Sequence, residues 1–524
     1  MVLSGDILID IFSVLIAIFV IAIVFFKRRY SHWKNLGVEY LEPTIPFGNY
    51  KPSYFQAKSI AEIWTEFYDA MKAKTAKHAG WYFFHLAVYV PMDLDLIKSI
   101  MQTDFAHFTD HLGYVNEKDD PLSATVFSLE GQRWRNLRMK LTPTFTSGKM
   151  KLMFPIMIKL SEELIETLRK ECGNSPIDAK DISARFTTDV IGNCAFGIDC
   201  NSLRDPNTEF RIKGKRVFSL TPVEMLSNFL SFLFPNAMKF FGVRLFPKEA
   251  TDFFLKVIKD TADYRQTNNI RRNDAFQLLL DMLNNEGKET DNTLTFSELA
   301  AQAFVFFIAG FETSSTLMSF ALIELSLNED VQNRLRDEIN EVLRKNNGEL
   351  TYEALSEMRY MDMVISETLR KYPPLPTLSR VCTKDYQVPN SEIQLRIGDG
   401  VMILVRGIHY DPDIYPDPHK FDPTRFSEEK KSKRHQFAFL PFGEGPRICL
   451  GKKFLLTCVV YDALFFLGLR FGLMQAKVGL ASLIKNFKFK YNPRTPYPIK
   501  CDPKSFLTSA QGGLWMDVQK IDSE

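Results

Sequence analysis

Residues 441–451 read Pro-Phe-Gly-Glu-Gly-Pro-Arg-Ile-Cys-Leu-Gly, with one cysteine, Cys449, in a loop that has glycines at 443, 445 and 451. Glycine tolerates positive φ and lets a backbone approach a flat ligand closely. Such a loop can aim several N–H groups at one sulfur. Arg447, two residues earlier, is placed to meet an anion. A thiolate held this way suits the axial position of a haem iron, where it pushes electron density toward O–O cleavage. For a lone cysteine, the plainer alternative is a buried structural thiol in a Gly-rich turn.

Three further groups have spacing that could do chemistry. Thr295-x-x-Glu298 is a capping box that opens a helix running through Ala301 to about Leu325. That helix is apolar on nearly every face, which predicts deep burial. Ala309-Gly310-Phe311-Glu312-Thr313 lies at its middle, and the small residues 309 and 310 would let a ligand pack on the backbone. A buried Glu beside a buried Thr costs free energy unless both are bonded. Alternatively, Thr313 bonds back to a carbonyl one turn earlier and Glu312 faces solvent. Glu367 and Arg370 stand at i and i+3 on one helix face, ahead of Tyr372-Pro373-Pro374. Exposed pairs of this kind contribute about 0.5 kcal/mol or less. Trp134 and Arg138 sit one helical turn apart, and both can donate to an anion.

Taken together, these stretches resemble the cytochrome P450 family. Residues 442–451 match its haem loop, Phe-x-x-Gly-x-Arg-x-Cys-x-Gly, at every fixed position. The resemblance covers about residues 30–524, and segments 116–123 and 141–150 look like insect microsomal, xenobiotic-metabolising members. It implies a mainly α fold with small β-sheets, in which haem b lies between a long central helix and the cysteine loop. Cys449 would ligate the iron. Trp134, Arg138, Arg380 and Arg447 would hold the haem propionates, a coherent donor set for two carboxylates. Phe442, Ala309 and Gly310 would line the cofactor, and Glu312 and Thr313 would manage protons during dioxygen activation. Arg425, in Asp422-Pro423-Thr424-Arg425-Phe426, would join Glu367 and Arg370 in a buried triad supporting the loop. The implied activity is a monooxygenase that inserts one oxygen atom of dioxygen into small lipophilic substrates. Electrons would come from NADPH through a flavoprotein reductase, with cytochrome b-five as a second donor. Lys431, Lys433, Arg434, Lys452 and Lys453 could form a basic docking surface; an ordinary solvated charge run is the alternative. By the same resemblance, segments near 105–127, 225–240, 304–313, 375–379 and 505–510 would line the substrate pocket. An isomerase or dehydratase needing no reductase is a second reading, disfavoured by the intact Glu312-Thr313.

The elements that must position these residues are less sharply marked. The 524 residues, 45% of them hydrophobic, suit one large or two ordinary domains. A net charge of +2 gives no global attraction to nucleic acid. Seven cysteines, scattered without Cys-x-x-Cys spacing, read as reduced thiols. Ile7 to Phe26 is an apolar run long enough to span a hydrocarbon core of about 30 Å. Lys27, Arg28 and Arg29 follow it. Positive charge stays on the cytoplasmic side, so residues 1–29 read as an uncleaved single-pass anchor. The catalytic body would then lie on the cytoplasmic face of the endoplasmic reticulum. Residues 30–50, with Pro43 and Pro46, read as a linker, and 51–524 as the catalytic domain. Helical periodicity dominates from about 55 to 380, Asn346-Asn347-Gly348 reads as a helix stop, and short extended pieces occupy about 380–430 and 487–524.

One segment departs from the family pattern. In similar proteins Cys-x-Gly runs directly into a helix resembling Leu-Arg-Phe-Gly-Leu-Met-Gln. Here that start appears at Leu469–Gln475, after an unusual insertion, Lys452 to Gly468. Removing it joins Gly451 to Leu469 and restores the register. Gly451-Lys452 and Leu467-Gly468 are compatible with splice-donor and splice-acceptor codons, so the segment reads as an in-frame retained intron. The rival is a genuine apolar helix. On the intron reading, Leu455 takes the place Gly472 would hold, and a larger side chain in a fitted core costs about 1–3 kcal/mol. Deleting Lys452 to Gly468 is therefore expected to raise haem content per protein and melting temperature. Equal or higher values for the full chain would make the segment a real structural element.

Overall fold

The computed structural model describes residues 7–142, 146–173, 175–283, 294–449 and 469–521. The insertion 452–468 lies outside the described residues. Helices make up most of the described residues, and three small sheets accompany them, the smallest being the pair Tyr386–Gln387 and Gln394–Leu395, as expected of a mainly α fold with small sheets. The first sheet runs in the order Glu39–Tyr40, His78–Phe83, Leu86–Pro91, Gly400–Ile403, Leu378–Val381. Arg380 on the last of these strands pairs with Val401. The second sheet packs Trp515–Lys520 between Ile177–Asp178 and Phe487–Tyr491.

The central helix, Phe296–Leu327, forms where the sequence places it, and both halves of the Thr295/Glu298 capping box are present. It makes its densest contact with the helix Ala179–Ile191. The helix Glu329–Lys345 stops at Asn346, with Asn347 and Gly348 at positive φ. The last long helix, Leu469–Asn486, packs on the central helix, and Gln475 Nε2 donates to the Gly310 carbonyl at 2.8 Å. Its closest approach is at Gly479, where a Cβ would lie 2.4 Å from Met318 and 2.9 Å from Phe186. Gly472 has room to spare, with Ser314 Oγ 3.5 Å from its Cβ position. The small residue that this interface requires is therefore Gly479.

Two regions differ from the reading of the sequence. The hairpin His78–Phe83 and Leu86–Pro91 falls inside the stretch read as helical. Its runs of Trp, Tyr, Phe and Val favour a pleated surface, and Phe84 makes the turn at φ 52°. Residues 30–50, read as a linker, pack onto this hairpin. The Trp33 indole is buried against Gly80, where a Cβ would overlap it at 2.2 Å, and Trp33 Nε1 donates to the Trp81 carbonyl. The helix Ile7–Tyr30 is long and apolar enough to cross a membrane, and Ile11 to Val20 are exposed. Its last residue is held by the body: Gly48 N–H donates to the Tyr30 hydroxyl at 2.9 Å, and the Tyr82 hydroxyl donates to the Tyr30 carbonyl at 2.8 Å.

Candidate functional site

The cysteine loop is shaped by its glycines. Gly443 and Gly445 have φ of 72° and 75°. A Cβ on Gly445 would sit 1.8 Å from the Met101 carbonyl oxygen, so only glycine fits there. Cys449 N–H donates to the Phe442 carbonyl at 3.1 Å, closing the loop, and Phe442 itself packs against the main core. The Cys449 side chain is free and exposed.

Cationic side chains surround this loop. Arg138, on the helix Gly131–Leu141, donates to the Ile448 carbonyl at 2.5 Å. Arg447 donates to the carbonyls of Thr109, Phe127 and Leu129. The Trp134 ring lies against both guanidiniums, 4.2 Å from Arg447 and 5.8 Å from Arg138. Arg380 is 2% exposed, and its Nη1 donates to the neighbouring Ser379 carbonyl at 2.7 Å. Burial, together with Arg447 and Arg138, pulls Arg380 down to about 9. Burial also lowers Arg138 and Arg447, each to about 10. Asp110, 3.5 Å from Arg447, is the carboxylate that pairs with the set among the described residues. Trp134 Nε1 and Arg380 Nε are buried and have no partner among the described residues. Two buried guanidiniums, the half-buried Arg138 and an indole N–H, with Asp110 as the carboxylate paired to them among the described residues, fit a dianionic ligand; the two propionates of haem match that demand. His111 belongs to this cluster and was not legible in the sequence. Its Nδ1 lies 3.3 Å from Arg447 Nη1, and burial plus Arg380 and Arg447 hold it neutral.

On the central helix, Val305, Ala309 and Thr313 form one open face, with Ala309 exposed. Gly310 points the other way: its Cβ position lies 2.6 Å from Ile191. This corrects the expectation that both small residues line the cofactor face. Gly310 lets the two helices touch. The Thr313 hydroxyl donates back to the Ala309 carbonyl, the local bond expected of a mid-helix threonine. Glu312 is not solvent-facing. Its Oε1 lies 2.7 Å from Lys180 Nζ, which also donates to Ser315 and Thr316. Nothing in the sequence pointed to Lys180, because the contact spans 132 residues. The phenylalanines at 304 and 307 pack against Phe254 inside the core, so they do not line the open face.

Behind the loop, Glu367, Arg370 and Arg425 come together as expected. Glu367 and Arg370 are fully buried and bidentate, at 2.7 and 2.9 Å. Arg425 Nε stands 3.5 Å from Glu367 Oε1, and its other nitrogens donate to the Pro416 and Asp417 carbonyls. In the basic run nearby, Arg434 is committed to the fold, stacked on Tyr415 and Phe426, and Lys433 pairs with Glu429.

The mainly helical architecture and the cationic cluster beside a single loop cysteine fit a haem-thiolate protein. The cytochrome P450 family profile matches residues 46–455, ending inside the insertion, and the chain belongs to that family. It is 44% identical to Probable cytochrome P450 6a23 of Drosophila melanogaster over 97% of this chain and 98% of that one. It is 42% identical to Cytochrome P450 6a9 of the same organism over 98% of this chain and all of the relative. Membership makes it a monooxygenase that uses haem with a cysteine thiolate ligand and electrons from NADPH delivered by a reductase.

Replacing Glu367 with Gln keeps the size of the side chain and strips the compensating charge from two buried arginines. The expected cost is about 3–5 kcal/mol, read as a lower melting temperature together with lower haem content. An unchanged melting temperature would show that the backbone carbonyls alone satisfy Arg370 and Arg425.

Proposed function

We propose that Cys449 is the axial thiolate and that Trp134, Arg138, Arg380 and Arg447 hold the two propionates. The observation that carries this reading is the cluster of guanidiniums next to the Cys449 loop, Arg380 and Arg447 buried and Arg138 half-buried. When bound, the haem supplies the activation of dioxygen. The chain supplies the rest. The cysteine loop excludes bulk from one side of the ligand through its glycines, and Ala309 keeps the opposite helix face low. Thr313, whose proton is donated to the Ala309 carbonyl, presents its oxygen lone pairs to the open face and orders a proton donor there. Glu312, held by Lys180, is the nearest acid on that helix and would pass protons inward when it leaves the lysine. The substrate is a small lipophilic molecule that reaches the face formed by Val305, Ala309 and Thr313.

We further propose that Ile7–Tyr30 anchors the chain in the endoplasmic reticulum membrane, with the body on the cytoplasmic face. The helix is apolar and ends in Lys27, Arg28 and Arg29. Reductase, with cytochrome b-five as a second donor, would dock on the basic surface around the cysteine loop, where Lys431 is exposed.

Thr313→Ala is expected to retain haem but to divert NADPH electrons into hydrogen peroxide at the expense of product. The ratio of product to NADPH consumed measures this, and an unchanged ratio would leave Thr313 a structural helix residue. Deleting Ile7 to Phe26 should shift the protein from the membrane pellet toward the soluble fraction while the body keeps its haem, because the hydrogen bonds to the body are made by Tyr30 and the deletion removes only the edge contacts of Phe25 with His85 and of Phe26. Loss of haem on deletion would place the helix in the folded core.

A further inference from the structure

The short helix Val405–His409 ends on a histidine with no role in the reading above. His409 is completely buried. Its Nδ1 lies 3.1 Å from the Arg370 carbonyl oxygen, and its Nε2 lies 3.0 Å from the Leu440 amide nitrogen. A carbonyl only accepts and an amide N–H only donates. The ring must therefore carry its proton on Nδ1 and offer the Nε2 lone pair to Leu440. An imidazolium could not accept that bond. Burial, with Arg370 and Arg434 nearby, holds His409 down at about 3, so the ring stays neutral in the physiological range.

Both ends of this bridge are fixed by other bonds. Arg370 Nη1 donates to the His409 carbonyl at 2.8 Å, so the two residues grip each other in both directions. The imidazole stacks on Phe439, with ring centroids 5.4 Å apart. The Leu440 carbonyl accepts the Gly443 N–H at 3.1 Å in the first turn of the cysteine loop, and the Phe442 carbonyl accepts Cys449 N–H. A neighbouring link, from the Tyr415 hydroxyl to the Ala438 carbonyl, ends two residues short of Leu440. We infer that His409 is a positioning residue for Cys449, transmitting the rigid Glu367–Arg370 pair to the turn that sets where the thiolate stands. This rests on the reading of Cys449 as the axial ligand.

Three variants separate the two bonds. His409→Gln can place an oxygen where Nε2 stands and keep the acceptor for Leu440. His409→Asn can place an amide nitrogen near Nδ1, keeping the bond to Arg370 and losing the one to Leu440. His409→Phe fills the same space and loses both. The readout is the reduced carbon-monoxide difference spectrum at equal haem content, which reports the ratio of thiolate-ligated to thiol-ligated forms, with melting temperature measured alongside. The Gln variant should stay near the parent ratio. The Asn and Phe variants should fall roughly tenfold, the effect of leaving one buried amide unbonded. The inference is overturned if Asn keeps the parent ratio, even with a lower melting temperature, since His409 would then be a packing residue. It is also overturned if Gln falls as far as Asn. Should the Phe variant fail to fold, the comparison of Gln with Asn decides. Absence of the thiolate-type band in the parent would instead count against Cys449 as ligand.

Discussion

The cysteine loop depends on one fully buried ion pair, Glu367 with Arg370. Two charges without solvent are costly unless every donor and acceptor is used. Here they are used by the chain around them. Glu367 Oε1 also takes the Asp422 amide, and Arg370 reaches the carbonyls of His409 and Pro418. Arg425 adds the carbonyls of Pro416 and Asp417. An irregular stretch of more than ten residues, with little repetitive structure of its own, is thus tied to the end of the helix Arg359–Lys371. The loop holding Cys449 is laid on that platform.

A second constraint acts from the opposite side. Arg138, Arg380 and Arg447 repel one another in a medium that screens poorly. Hydrogen bonds from Arg447 to residues 109–129 and from Arg138 to Ile448 hold them in place against that repulsion. The segment 109–129 is itself pinned to the central helix, since Gln302 bonds both Val126 and Ala124. The cysteine loop is therefore fixed from behind by a neutralised pair and from the side by an unneutralised cluster. A dianionic ligand relieves only the second, which makes the cluster part of the binding energy for that ligand.

What the sequence disclosed was local. The capping box at Thr295, the stop at 346–348 and the glycines flanking Cys449 act within a few residues, and their types suffice. The Glu367–Arg370 pair was legible as an i, i+3 spacing, although its burial was implied only by family resemblance. The rest depends on contacts across the chain. Lys180 meets Glu312 from another helix, His409 meets Leu440 across the platform, and Trp33 meets Gly80 across the sheet. Gly310 was correctly marked as a close-approach residue, but periodicity alone could not say whether a ligand or Ile191 approaches it. The hairpin at 78–91 carried a readable signal, its aromatic and β-branched runs, which the surrounding helical pattern obscured.

The central claim is that Cys449 binds the haem iron as a thiolate. The direct measurement is the reduced carbon-monoxide difference spectrum of the full chain beside its Cys449→Ala variant. The account predicts a thiolate-type absorption in the full chain and none in the variant. The same absorption in both, or a haem-loaded full chain that lacks it, would contradict the assignment.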